Sequence, residues 1–127
     1  MEKKYKLTEE TINVIDKSLY RIEALKDFAN IKKGEKGGFI ENEKNLSQSG
    51  DCWVYGNAKI YGNAYVFGNA EIYGDAKVYE NAEAYDDVMV YGNAKVYGNA
   101  KVYGYATVHW NAKVYGTDEV YGTDEVY

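Results

Sequence analysis

The stretch Ala94-Lys-Val-Tyr-Gly-Asn-Ala-Lys-Val-Tyr-Gly-Tyr105 contains the reading that decides the fold. Its unit is small, polar, aliphatic, aromatic, glycine, polar, and the unit recurs at every sixth position. The first position reads Leu46, Cys52, Ala58, Ala64, Ala70, Ala76, Ala82, Val88, Ala94, Ala100, Ala106, Ala112, Asp118 and Asp124. The third reads Gln48, Val54, Ile60, Val66, Ile72, Val78, Ala84 and then Val at 90, 96, 102, 108, 114, 120 and 126. Within each unit the small and aliphatic residues share one face and the polar and aromatic residues the other, as the period of two in a strand requires. The Gly-Asn that follows is a turn signal, since glycine takes positive φ freely and asparagine tolerates it. Each hexad is therefore a short strand and a corner.

A helix is excluded, because a glycine in every hexad would cost about 1 kcal/mol each and the β-branched third position favours strands. A stack of hairpins fits poorly, since hairpins vary their turns whereas every corner here has one two-residue form. The repeat resembles the hexapeptide-repeat left-handed β-helix, in which three hexads make a triangular coil. The resemblance covers residues 46–127 and implies an all-β, left-handed parallel β-helix with three hexads to each coil, an exception to the usual right-handed crossover. Glycine follows the tyrosine here, which resembles an uncharacterised bacterial and phage-encoded repeat group more than the acyltransferases of this fold.

Residues 1–45 contain no hexads and balance ten basic against nine acidic residues. Ile12 to Ile15 and Leu19 to Leu25 flank Asp16-Lys-Ser18 as a hairpin would. Leu19, Ile22, Leu25 and Phe28 fit helical spacing as well, so the segment stays open between the two. Further on, Gly37-Gly38-Phe39-Ile40 and Gly50-Asp51-Cys52-Trp53 resemble the N-terminal part of the same repeat group. A solenoid needs its first apolar end and unpaired strand edges covered, which makes this segment a β-rich N-terminal cap.

Composition restricts the function classes. Leu, Ile, Val and Phe supply 26 of 127 residues, near the one-fifth level at which charged chains lose their core, so composition alone leaves folding undecided. One cysteine excludes an internal disulfide, and one histidine excludes a three-histidine metal site within the chain. No apolar run approaches a membrane span or a secretory signal, so a cytoplasmic protein is expected. The net charge of −5, and −6 over residues 46–127, argues against nonspecific nucleic-acid binding.

Stacking equivalent positions of successive coils at about 4.8 Å sorts the outward side chains into three faces. The first carries Lys59, Lys77, Lys95 and Lys113 beside Tyr61, Tyr79, Tyr97 and Tyr115. Cations alternating with aromatic rings are what a single-stranded nucleic-acid groove uses, although a flat face with four lysines also reads as a solvated surface. The second carries Tyr65, Glu83, Lys101 and Glu119 beside Phe67, Tyr85, Tyr103 and Tyr121. The third carries Trp53, Glu71, Met89, Thr107 and Glu125 beside Tyr55, Tyr73, Tyr91, His109 and Tyr127, with Trp110 at the next corner. It has no lysine. Trp, Tyr and Met are enriched where proteins meet, so Trp53, Tyr55, Tyr73, Met89, Tyr91, His109 and Trp110 form the expected interface, with a symmetry mate or a partner protein.

Catalytic chemistry is not expected. Acyltransferases of the resembled fold imply a catalytic histidine and loops that build a donor site, yet no hexad is interrupted. His109 replaces a ladder tyrosine with no carboxylate partner evident from spacing. Cys52 sits at a small inward position, as a compact hydrophobe. Inward Asp118 and Asp124 imply a final coil that is frayed, paired or exposed. The expected protein is a non-enzymatic, cofactor-free interaction module that forms homo-oligomers. The phage resemblance adds binding or blocking of a host defence protein. A nucleic-acid module on the Lys/Tyr face and a degenerate acyltransferase are the alternatives.

Overall fold

The architecture follows from the hexad. A computed structural model describes residues 2–127 and consists of a β-hairpin, a further strand and a stack of parallel coils. From Trp53–Val54 to Glu125–Val126, thirteen two-residue strands recur, one in each hexad. Each pairs in parallel with the strand three hexads away, so that Lys59 faces Lys77, Lys95 faces Lys113 and Met89 faces Thr107. Backbone hydrogen bonds run from coil to coil, for example Lys59 N–H to the Ala76 carbonyl at 3.0 Å and Tyr61 N–H to the Val78 carbonyl at 3.1 Å. This is a β-solenoid with three strands and three corners in each coil. Proline is absent because most backbone N–H groups are committed to this ladder.

The inward columns form the core. From Ala58 to Val108 every first- and third-position side chain is fully buried. The narrow column of alanine lets the chain turn, while each buried valine or isoleucine contributes about 1.5–3 kcal/mol relative to exposure. Corners are set by backbone conformation: thirteen positions, one per hexad from Gly50 to Gly122, have φ between 59° and 74°. Ten are glycine, and Glu80, Asp86 and Trp110 adopt the same left-handed conformation with a side chain.

The N-terminal segment resolves the ambiguity left by its sequence. Strands β1 (Tyr5–Val14) and β2 (Lys17–Ala24) form an antiparallel hairpin, and Ile15 and Asp16 make the turn at φ 43° and 65°. Leu19 and Ile22 are therefore strand residues, and their helical spacing is incidental. Strand β3 (Lys36–Ile40) pairs antiparallel with β2 and parallel with Lys59–Ile60, so one seven-stranded sheet runs from the hairpin into the first face of the solenoid.

Two features differ from the sequence reading. The sheet is continuous across residue 45, since β3 already lies under the first coil: Ile40 faces Ile60 and Leu46 faces Val66. These pairs are offset by more than three hexads, whereas Val54 faces Ile72 at the regular offset. The chain is therefore lengthened by a dipeptide between Leu46 and Trp53, and Leu46 occupies the aliphatic column rather than the small one. Gln48 leaves the core altogether. Its Oε1 accepts from Lys4 and Tyr5 N–H at 2.7 and 3.1 Å, and its Nε2 donates to the Tyr5 carbonyl at 3.2 Å.

The open base is closed by this N-terminal chain. Tyr5, Ile22, Ile31 and Trp53 join the buried core, with Tyr5 and Phe28 packed edge-on against Trp53 at 6.2 and 5.2 Å. Lys4 is 1 % exposed, and its Nζ donates to the Cys52 and Gly50 carbonyls at 2.7 and 3.2 Å while lying over the Phe28 ring. Burial holds its pKa below the usual lysine value, so the side chain serves as a buried donor to carbonyls. Close approach of β3 to the coil requires Gly38, where an added Cβ would lie 2.6 Å from both the Ala58 carbonyl oxygen and a Val54 methyl.

Candidate interaction faces

The coil pairing brings each expected column together. On the first face Tyr61, Tyr79, Tyr97 and Tyr115 stack with ring centroids 5.0, 5.0 and 5.3 Å apart and planes within 13° of parallel. Intercalating a base between two rings would need about 7 Å, twice the roughly 3.4 Å rise of stacked nucleotides. Both faces of Tyr79 and Tyr97 are thus taken by their neighbours. The hairpin also covers the start of the row: Leu19, Phe39 and Tyr61 form a small buried cluster, with Ile12, Val14 and Tyr79 packed against it. Burial pushes the Tyr61 hydroxyl up to about 12. The adjoining lysines crowd one another, and burial together with the Lys77 charge lowers the Lys59 pKa. The face is a closed aromatic rail edged by cations, with no sequence of exposed ring faces on which bases could stack.

The second face repeats the rail through Phe67, Tyr85, Tyr103 and Tyr121, spaced 4.6, 5.2 and 5.4 Å. Here the Tyr103 hydroxyl donates to Glu119 at 2.8 Å, and that bond moves its pKa up to about 12.

The third face is the least regular. Trp53 does not belong to its surface: the leader encloses the indole completely, so a sequence position that reads as outward becomes part of the base. Tyr55 is partly covered and meets Tyr73 edge-on at 6.1 Å. Beyond them Tyr73, Tyr91 and His109 stack at 4.8 and 5.1 Å, and Tyr127 tilts against His109 at 5.4 Å. Met89 is 41 % exposed and accepts from the Tyr73 hydroxyl through Sδ at 3.7 Å. Trp110, 67 % exposed, stands at the following corner.

Sequence spacing missed two elements of this face. Tyr105, 69 % exposed, occupies the preceding corner. Its signal was the replacement of Gly-Asn by Gly104-Tyr105, a corner position lying outside the strand columns. The second was the approach of Glu125, already placed on this face, to His109: its Oε1 lies 3.4 Å from His109 Nε2, although without hydrogen-bond geometry. The same diagonal, from the aromatic column of one coil to the polar column of the next, joins Tyr73 to Met89 and Tyr103 to Glu119. Both faces of the imidazole are covered by aromatic rings, Tyr91 on one side and Tyr127 on the other.

Cys52 is enclosed, with its sulfur 3.6–3.8 Å from the Ser47, Ser49 and Val66 carbonyls, and burial pushes its thiol pKa up. A thiol held protonated is a poor nucleophile. Asp118 and Asp124 are exposed at the last coil, so neither carboxylate suffers the desolvation its inward position implied. Among the described residues no helix is long and apolar enough to cross a membrane, and no three His, Cys, Asp or Glu side chains gather into a metal-binding group.

Comparison with known proteins agrees with the coil geometry. The profile of a family described as YdcK beta solenoid repeat matches residues 94–109, within the stretch whose hexads define the fold. No curated protein matched the chain.

Proposed function

We propose that this hexapeptide-repeat solenoid is a non-enzymatic interaction protein whose third face docks another protein. The observation that carries the reading is Trp110. Bulky side chains rarely adopt positive φ, and such strain persists at positions kept for a function. Glu80 and Asp86 hold the same corner conformation with a compensating bond, accepting from Gly98 and Gly104 N–H at 2.8 and 2.9 Å. Trp110 has no such bond and exposes its indole. With Met89 and Tyr105 it forms an exposed aromatic and thioether surface, of the composition that protein contacts favour. The covered ring faces of the first face favour this reading over nucleic-acid binding, and the uninterrupted hexads from Trp53 onward favour it over a degenerate acyltransferase.

The resemblance to phage-encoded repeats suggests a partner among host proteins, a defence protein included, and a cytoplasmic setting; homo-oligomerisation through the same face belongs to this reading. Light scattering separates the two occupants. A mass above the monomer that falls with Met89→Glu or Trp110→Lys assigns the face to a second copy. A monomeric mass, with a single host protein retained by the wild type and released by Trp110→Lys, assigns it to a host protein. If neither variant alters mass or retention, docking on this face is wrong.

A further inference from the structure

We infer that the partner of the third face is a cationic protein segment whose arginine or lysine side chains lie across Met89, Tyr105 and Trp110. The inference rests on the docking reading and adds the chemistry of what docks. The third face with its two corners comprises residues 50–57, 68–75, 86–93, 104–111 and 122–127. It holds seven carboxylates, Asp51, Glu71, Asp75, Asp86, Asp87, Asp124 and Glu125, and not one lysine or arginine. All five lysines of the repeat region lie on the other two faces. This segregation is not a by-product of the ladder, because the equivalent column of the first face is lysine throughout.

Carboxylates adjoin the exposed Met89. A recess of about 300 Å³ is lined by Asp51, Glu71 and Asp87 together with Tyr55 and Met89. Tyr105 stands one coil above Asp87 in the same corner column, and Trp110 stands above Gly92 in the other. An alkyl stem laid on Met89 with its charged head among the carboxylates satisfies both halves of the recess. The exposed indole of Trp110 offers an uncovered ring for a guanidinium, which the stacked tyrosines do not. A second copy presenting the same face would set these carboxylates against one another, so of the two occupants the docking reading allows, the acidic face selects a partner protein and not an isologous dimer.

The two tryptophans make the test specific. Trp53 is fully buried, so quenching of tryptophan emission by acrylamide reports on Trp110. The probe is a nona-arginine peptide, with a nona-glutamate peptide as control. The expected result is protection of Trp110 from acrylamide by nona-arginine only. That protection should weaken with added salt and fall several-fold in the Glu71→Gln, Asp87→Asn double variant. The Glu83→Gln, Glu119→Gln variant of the second face should retain it. Protection that survives loss of Glu71 and Asp87, or that never develops, overturns the cationic partner. The docking reading is scored separately: loss of self-association or host-protein retention in Trp110→Lys, with no response to nona-arginine, upholds the face and refutes only its cationic occupant.

Discussion

Replacing Gly38 by alanine tests whether β3 is the first rung of the solenoid. The chain passes so close to the next coil that the new Cβ would sit 2.6 Å from the Ala58 carbonyl oxygen and 2.6 Å from a Val54 side-chain carbon. One of these neighbours is backbone held in the coil ladder, so relief requires the strand to move. Overpacking of this kind costs about 1–3 kcal/mol, and two fixed neighbours place the substitution near the upper end. Gly56 is the internal comparison. Its φ of 59° is left-handed, yet an added Cβ there meets nothing within 4 Å. Alanine at 56 would carry only the conformational cost of about 1–2 kcal/mol, partly offset by about 0.4–1 kcal/mol from a stiffer unfolded chain. At roughly 4 °C per kcal/mol for a chain of this size, Gly38→Ala should lower Tm by about 10 °C and Gly56→Ala by about 6 °C or less. The assay is thermal unfolding followed by far-ultraviolet circular dichroism. A Gly38→Ala protein as stable as Gly56→Ala would show that β3 does not pack against the coil as described.

Two further outcomes follow from strain and titration. Trp110→Gly should raise stability by about 0.5–1 kcal/mol, because glycine takes φ near 59° without the left-handed penalty, while abolishing any docking at that corner; calorimetry showing equal or lower Tm would remove the strain argument. Burial raises Tyr55 and Tyr61 from 10.0 to about 12, so the folded state holds protons that the unfolded chain releases. Their contribution is complete below pH 10 and is lost as pH rises toward 12. Denaturant melts at stepped alkaline pH, read beside phenolate absorbance, should show stability falling across that window; stability that is flat there would contradict the burial of these hydroxyls.

Much of this molecule was determined by local sequence alone. Ala, Val, Tyr and Gly at fixed offsets specify a strand with two unlike faces and a corner, and repetition forces equal residues into columns. Hence Lys59 falls on Lys77 and Tyr73 on Tyr91, as their spacing requires. Tertiary structure decided what lies over those columns. Trp53 and Met89 share one column, yet one is enclosed and the other exposed, because on this face the N-terminal chain packs Tyr5 and Phe28 over Trp53 and leaves Met89 open. The same packing hides Tyr61 and leaves Tyr115 open, 52 % exposed. Gln48 occupied a hexad position on paper, and the lengthening of the first coil turned it outward to hold Lys4 and Tyr5. His109 met Glu125 through a diagonal that a column count does not display. Short-range periodicity fixes which way a side chain points relative to its own strand. Whether water, a ring or another strand covers it depends on the nonrepeating leader, whose contacts join parts of the chain as distant in sequence as Lys4 and Cys52.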